Sequence, residues 1–336
     1  MLARIAQELF WLGRNLARAE HTARMLDGVF QASLQGRPDD PAGVTLDWSS
    51  LLAIMAAAPS DGLPRRDEVL RALTLDPQNP ASVMSCVSRA REGARTVRDV
   101  ISAEMWEAVN TTNLELREGD LSGRLRTGPS SVYVYVKERC ALFWGLTSRT
   151  MLRDEASAFL AAGGRIESGD MVLRMLRVSL PRDVEKQANT IEQGQALALL
   201  QAVGGFQAYR RAVPAPPNAL PVARFLLFER GYPDSVAASV DAVHNALIRA
   251  DRNPRNSEPV LRLQRLSADL EFRGRTETAG SDVHATCEAV QEELRRVDRD
   301  IAERYFAGAV GLLLAAGGRQ SPSDRGAGRP AEVPSV

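Results

Sequence analysis

The residues best suited to chemistry in this chain are arginines and carboxylates set at helical spacing. Arg14, Arg18, Glu20 and Arg24 stand in one apolar-periodic segment near the start. Arg153, Asp154, Glu155, Glu167 and Asp170 form a second group further on. On a wheel advancing about 100° per residue, Ile5, Leu9, Leu12, Leu16, Ala19, Ala23, Leu26 and Phe30 make one stripe. Phe10, Trp11, Arg14, Arg18, His21 and Met25 fall together on the opposite face. Aromatic residues there imply that this second face is covered as well. A planar guanidinium on a covered face suits a carboxylate or phosphate ligand, because it makes paired, charge-assisted hydrogen bonds. It suits equally a carboxylate of a neighbouring helix, in which case Arg14 and Arg18 only tie the fold together.

The remaining candidates also carry two readings. Glu20 precedes Arg24 by four residues, the favourable order for an ion pair along a helix. Glu104 lies near a helix start, where negative charge is stabilised. Asp154 reads as the cap of a helix beginning at Glu155, although an acid pair there could also hold a cation together with a phosphate. Several chemistries have no support. There is no Gly-x-x-x-x-Gly-Lys-Ser/Thr loop to cradle a nucleotide, so ATP chemistry would fall to a partner. His21, His244 and His284 are isolated, and Cys86, Cys140 and Cys287 are widely spaced, so no metal, disulfide framework or thiol nucleophile is indicated. No cofactor is implied.

These residues are positioned by helices. Periodic segments run over 5–30, 51–58, 82–97, 104–116, 156–178, 184–212, 221–229, 235–250, 259–271 and 283–314, with a corner near Asp99 to Ser102. Ser235, after Asp234, and Ser257 read as helix caps. Residues 118–129 hold three glycines and a proline and read as the main internal loop. Val132, Val134 and Val136 alternate as in a strand, but a lone strand among helices has no pairing partner, so a helix is expected. The fold class is all-α, a multi-helix bundle. Aligning Gly13 with Gly163 gives an offset of 150 residues that also pairs Leu16 with Ile166, Glu20 with Asp170, Arg24 with Arg174, Met25 with Met175 and Leu26 with Leu176. Two helices of one design would follow, dividing a domain 1–318 into halves 1–128 and 129–318; chance matching of amphipathic helices would give the same letters.

Composition sets the outer bounds. The 336 residues are 44% hydrophobic and 25% charged, which is ordinary for a globular protein. Lys+Arg 42 balances Asp+Glu 42, so no net field draws the chain to nucleic acid or to an anionic membrane. Lys137 and Lys186 are the only lysines. The first residues lack the pattern of a signal peptide, and 307–317 is shorter than the roughly 20 apolar residues a membrane span needs. A cytoplasmic protein with a disordered tail over 319–336 is expected.

The run Phe10-Trp11-Leu12-Gly13-Arg14-Asn15-Leu16-Ala17-Arg18-Ala19-Glu20 resembles the opening helix of the bacterial alpha-E family. Further family-like runs are Ala94 to Asp99, Ser102 to Ala108, Thr150 to Glu155, Phe225 to Arg230, Ala268 to Glu271 and Ile301 to Phe306, in order over residues 1–310. The resemblance implies a helical domain with a Glu-Arg motif, found beside a circularly permuted ATP-grasp ligase and a transglutaminase-like protease. The implied setting is a peptide-making or peptide-modifying system. Where the family has Leu-Glu-Arg-Ala-Glu in its first helix, Ala17 stands here before Arg18. Where its second copy has Glu-Arg, Glu167 is followed by Ser168. Each helix keeps half the pair, so either the helices pack and Arg18 meets Glu167, or the copy has diverged and lost activity.

Three functions are consistent with these residues. The first is a helical accessory subunit of an ATP-grasp-type ligase that binds the enzyme, a peptide or an amino-acid intermediate. The second is a stand-alone enzyme acting on amide or peptide substrates, with Arg14, Arg18, Glu20, Arg153, Asp154 and Glu167 converging in one pocket. The third is a structural scaffold whose polar residues are all internal ties.

Overall fold

The computed structural model describes residues 1–35, 47–56, 64–180, 190–276 and 283–307. The tail and most of the apolar segment 307–317 lie outside them. All regular structure among the described residues is helical, and no described helix is long and apolar enough to cross a membrane. The order is α1 (Ala3–Gln35), α2 (Trp48–Ile54), α3 (Arg66–Thr74), α4 (Val83–Thr96), α5 (Ala103–Glu118), α6 (Leu121–Thr127) and α7 (Pro129–Thr150). It continues with α8 (Glu155–Ser179), α9 (Thr190–Ala202), α10 (Phe206–Ala212), α11 (Ala219–Phe228), α12 (Val236–Ala250), α13 (Glu258–Thr276) and α14 (Val283–Ile301). A π-helical turn, Ala302–Phe306, follows α14 directly.

The two long helices α1 and α8 form the centre. Helix α1 packs against α8, α4, α7 and α9, while α8 also takes α12 and α14. A helix with one apolar stripe needs cover on one side, and a helix apolar all round must be enclosed. Helix α8 is of the second kind: Leu160, Ile166, Met171, Val172, Leu173, Met175 and Leu176 point in several directions and are all buried. Helix α1 comes close to it, since Leu9, Phe10, Leu12, Ala19, Ala23, Met25 and Leu26 are nearly inaccessible on both of its faces. The second face is therefore covered as expected, except at Trp11, which is 41% exposed.

Local signals explain most boundaries. Ser82, Ser102, Asp154 and Ser235 each accept a hydrogen bond from a backbone N–H in the first turn of the helix they precede. Ser257 is buried just before α13, and its hydroxyl pairs with the Tyr305 hydroxyl at 3.0 Å. The chain turns at 97–102 between α4 and α5 as the corner required. Val132 and Val136 are buried on α7 with Val134 exposed, so the alternating valines belong to a helix.

Three expectations are corrected. Residues 118–129 are not one loop: Leu121 and Leu125, four apart, bury one face of α6, which Asp120 caps. The region 66–74, given no element in the sequence, folds as α3 because Val69, Leu70 and Leu73 bury one stripe. The helix expected over 184–212 breaks into α9 and α10, its start lying outside the described residues. Gly204, at φ +71°, and Gly205 close α9 by bonding back to Gln201 and Leu200. That is the Schellman pattern, which needs a left-handed residue and so a glycine.

Candidate functional site: the crossing of α1 and α8

Glycines bring the two central helices together. A Cβ on Gly13 would overlap the Leu160 carbonyl oxygen and lie 2.9 Å from the Gly164 nitrogen; one on Gly163 would overlap the Phe10 carbonyl oxygen and lie 3.0 Å from the Phe10 Cα. Residue 13 thus faces 160 and residue 163 faces 10, which is the arrangement a twofold relation with an offset of 150 requires. The ion pairs repeat too. Arg24 meets Glu20 at 2.6 Å along α1, and Arg174 meets Asp170 at 2.6 Å along α8.

Backbone contact places side chains from α1 directly against α8. The Glu167 carboxylate is wholly buried and gripped by two arginines, with Arg14 Nε donating at 2.9 Å and Arg18 Nε at 2.5 Å. Arg14 also reaches α14, its Nη1 donating to both Asp298 oxygens at 2.8 and 2.9 Å. Its guanidinium lies over the Trp11 ring, 5.0 Å from the centroid. Burial pushes the Glu167 carboxyl up, but the charges and hydrogen bonds of Arg14 and Arg18 outweigh it and hold the group below its ordinary range. Arg14 is raised although burial opposes its charge, because Glu167 and Asp298 favour the cation. Glu167 is in this state an anchor rather than a base, since a carboxylate held ionised by two cations takes up a proton reluctantly.

A depressed carboxyl contributes stability above its unfolded value, and that contribution is lost as pH falls through the folded value. Glu167→Gln should therefore destabilise the protein at pH 7, and the gap to the unmodified protein should close as pH drops below about 4.5, the group's ordinary value. Urea unfolding of both forms across that range reads it directly.

On the other side of the crossing lies a cavity of about 700 Å³ between α1, α7, α8 and α12. Ala17, Glu20 and His21 come to it from α1, Trp144 from α7, Arg153 from the turn before α8, Ser168 from α8 and Arg249 from α12. His21 Nε2 lies 3.1 Å from Ser168 Oγ. A smaller groove of about 450 Å³, between α1 and α4, exposes the outer edge of Arg18 next to Arg89.

The structure brings together some of the residues singled out in the sequence and separates others. Arg14, Arg18 and Glu167 meet in the clasp. Glu20 and Arg153 line the cavity, and Arg24 is paired with Glu20. Asp170 is held by Arg174 and by Gln291 Nε2, at 2.7 Å. Asp154 caps α8, accepting from Ala156 and Ser157 nitrogens at 3.0 and 3.2 Å. Glu155 binds the N-terminal ammonium of Met1, and Glu104 sits exposed in the first turn of α5, which packs on α4 and α7. A single pocket holding Arg14, Arg18, Glu20, Arg153, Asp154 and Glu167 does not form, because the clasp and the cavity are on opposite sides of the crossing and Asp154 is spent on its helix. Asp298, Trp144 and Arg249 had no signal in the sequence, since each gains meaning only when another helix is laid against it, and Ser168 stood out only as a departure from the Glu-Arg pair. No group of three or more His, Cys, Asp or Glu side chains is placed to hold a metal ion among the described residues.

An all-helical domain in which two related helices cross on glycines and share an arginine-glutamate clasp is the class of protein defined here. The chain belongs to the Alpha-E family, described as a predicted alpha-helical domain with a conserved ER motif, whose model matches residues 1–306. Similar proteins include an uncharacterised protein of Mycobacterium bovis and uncharacterised proteins of two strains of Mycobacterium tuberculosis. Each is 25% identical over 256 residues, a match covering 71% of this chain and 29% of the relative. The chain thus spans less than a third of the length of these relatives. No solved structure matches it.

Proposed function

We propose that the protein is a cytoplasmic helical binding subunit that works with an ATP-grasp-type ligase in a peptide-making or peptide-modifying system. In this reading it holds the ligase, a peptide or an amino-acid intermediate, with a transglutaminase-like protease as a further partner, and does not itself turn the substrate over. The observation carrying the reading is the closed state of the clasp: Glu167, the most buried carboxylate of the crossing, has both oxygens taken by Arg14 and Arg18. The cysteine thiols are withdrawn as well. Cys86, Cys140 and Cys287 are buried, and burial pushes the Cys86 thiol up to about 11, far from a reactive thiolate at neutral pH. Binding groups, in contrast, remain on cavity walls at both sides of α1.

The association with a ligase comes from the resemblance of the motif runs. Affinity capture of the tagged protein from its native cell should recover an ATP-grasp-type ligase, and that ligase should lose activity when the protein is left out. Capture without a ligase, or full ligase activity in its absence, overturns the reading.

A further inference from the structure

The crossing repeats itself under the offset of 150, yet its two sides are furnished differently. The relation that exchanges Gly13 with Gly163, and Glu20–Arg24 with Asp170–Arg174, carries the Arg18–Glu167 contact onto Ser168 and Ala17. Those two residues cannot form an ion pair. Both line the 700 Å³ cavity, so the cavity occupies the place where a second clasp would lie. Arg18 and Glu167 fill their side of the crossing with protein; on the other side the space is open to a ligand.

The charges on its wall do not cancel. Of the arginines there, Arg165 is paired with Asp234 at 3.1 Å. Arg153 makes no hydrogen bond or ion pair with another described residue, and Arg249 donates only to the Asn245 carbonyl of its own helix. Glu20 is already matched by Arg24. Two guanidiniums are thus left over for an incoming anion. On the same wall the Ser168 hydroxyl is held by His21, whose Nε2 lies 3.1 Å from Ser168 Oγ. Trp144 and Leu152 supply apolar surface beside these groups, and the volume lies in the range of small-molecule sites, about 300–1,000 Å³.

We propose that this cavity binds an organic carboxylate with an apolar body, of the size of an acylated amino acid. Arg153 and Arg249 take the carboxylate, Ser168, held by His21, takes a second polar group, and Trp144 and Leu152 cover the apolar part. Inorganic phosphate has no apolar part and would leave Trp144 and Leu152 uncovered. The inference rests on the reading of the protein as a binding subunit and narrows it to a ligand class.

Calorimetric titration of the full chain with N-acetyl-L-leucine, N-acetyl-L-leucinamide and inorganic phosphate tests it. The acid should bind, with the neutral amide at least about tenfold weaker for want of the charge-assisted contacts, and phosphate at least about tenfold weaker for want of an apolar body. Arg153→Gln and Arg249→Gln should each weaken the acid about tenfold while the melting temperature stays put, because neither side chain holds another element of the fold. The pair Ala17→Glu with Ser168→Arg should install the missing clasp and abolish binding without loss of thermal stability. Equal affinity for acid and amide, tighter binding of phosphate, no binding of the acid, or indifference to Arg153→Gln and Arg249→Gln overturns the proposal. Failure here with a ligase still captured sinks the ligand alone; a bound acid with no ligase captured sinks the partnership alone.

Discussion

Glu167→Leu lowers the stability of the folded protein by about 3–5 kcal/mol, the cost of removing one member of a buried charge group. The size follows from what is left behind. Arg14 keeps Asp298 and stays neutralised, whereas Arg18 loses the only carboxylate it pairs with among the described residues while its side chain remains 20% exposed. The cation then relaxes toward the groove between α1 and α4, so part of the penalty is relieved and the lower end of the range is expected. Equilibrium urea unfolding at pH 7 measures it. A loss below about 1 kcal/mol would place the clasp among ordinary surface ion pairs, contrary to its burial.

Gly163→Val is expected to be at least as damaging, by a different route. Here the helices themselves collide, because a Cβ on residue 163 overlaps the Phe10 carbonyl oxygen of a backbone that cannot rotate away. Overpacking of a core usually costs about 1–3 kcal/mol, relieved by side-chain shifts, and this contact offers none. Separating α1 from α8 would also lengthen the Arg14 and Arg18 bonds to Glu167, so a loss above about 3 kcal/mol or failure to fold should result. Gly145→Ala provides the contrast. Nothing lies within 4 Å of its Cβ on α7, so alanine should stabilise by about 0.5–1 kcal/mol through helix propensity. Thermal and urea unfolding of the two variants side by side separates close approach from propensity.

The sequence carried what is local. Apolar spacing in α1 and α8 marks which faces are buried, and Ser82, Ser102, Asp154 and Ser235 mark where helices begin, because a cap is decided within one turn of chain. The repeat is also visible in the letters, since Gly13 and Gly163 align with Glu20–Arg24 and Asp170–Arg174. Its geometric meaning is not: glycine is as compatible with a loose turn as with a backbone crossing, and only the packed pair makes it a contact. Short elements escaped for the opposite reason. Helix α6 has one pair of leucines four apart among three glycines, too little periodicity to outweigh the turn signals around it.

The site was legible as a list of residues and not as a map. Arg14 and Arg18 stand on a covered face and the motif offers Glu167 as a partner for Arg18, but that Arg14 shares Glu167 and also takes Asp298 depends on residues more than a hundred positions away and on the angle at which α8 crosses. Arg153 and Asp154 illustrate the same limit. Adjacent in the chain, one lines the cavity and the other closes the first turn of α8, a division that the local sequence does not encode.

The central claim is that α1 and α8 are locked by a buried arginine-glutamate contact, and a double-mutant cycle on Arg18→Ala and Glu167→Ala tests it most directly. If the two side chains depend on each other as the geometry indicates, removing Arg18 should matter far less once Glu167 is gone, with an interaction energy of about 1.5–3 kcal/mol. Losses that simply add, within about 0.5 kcal/mol, would contradict the clasp.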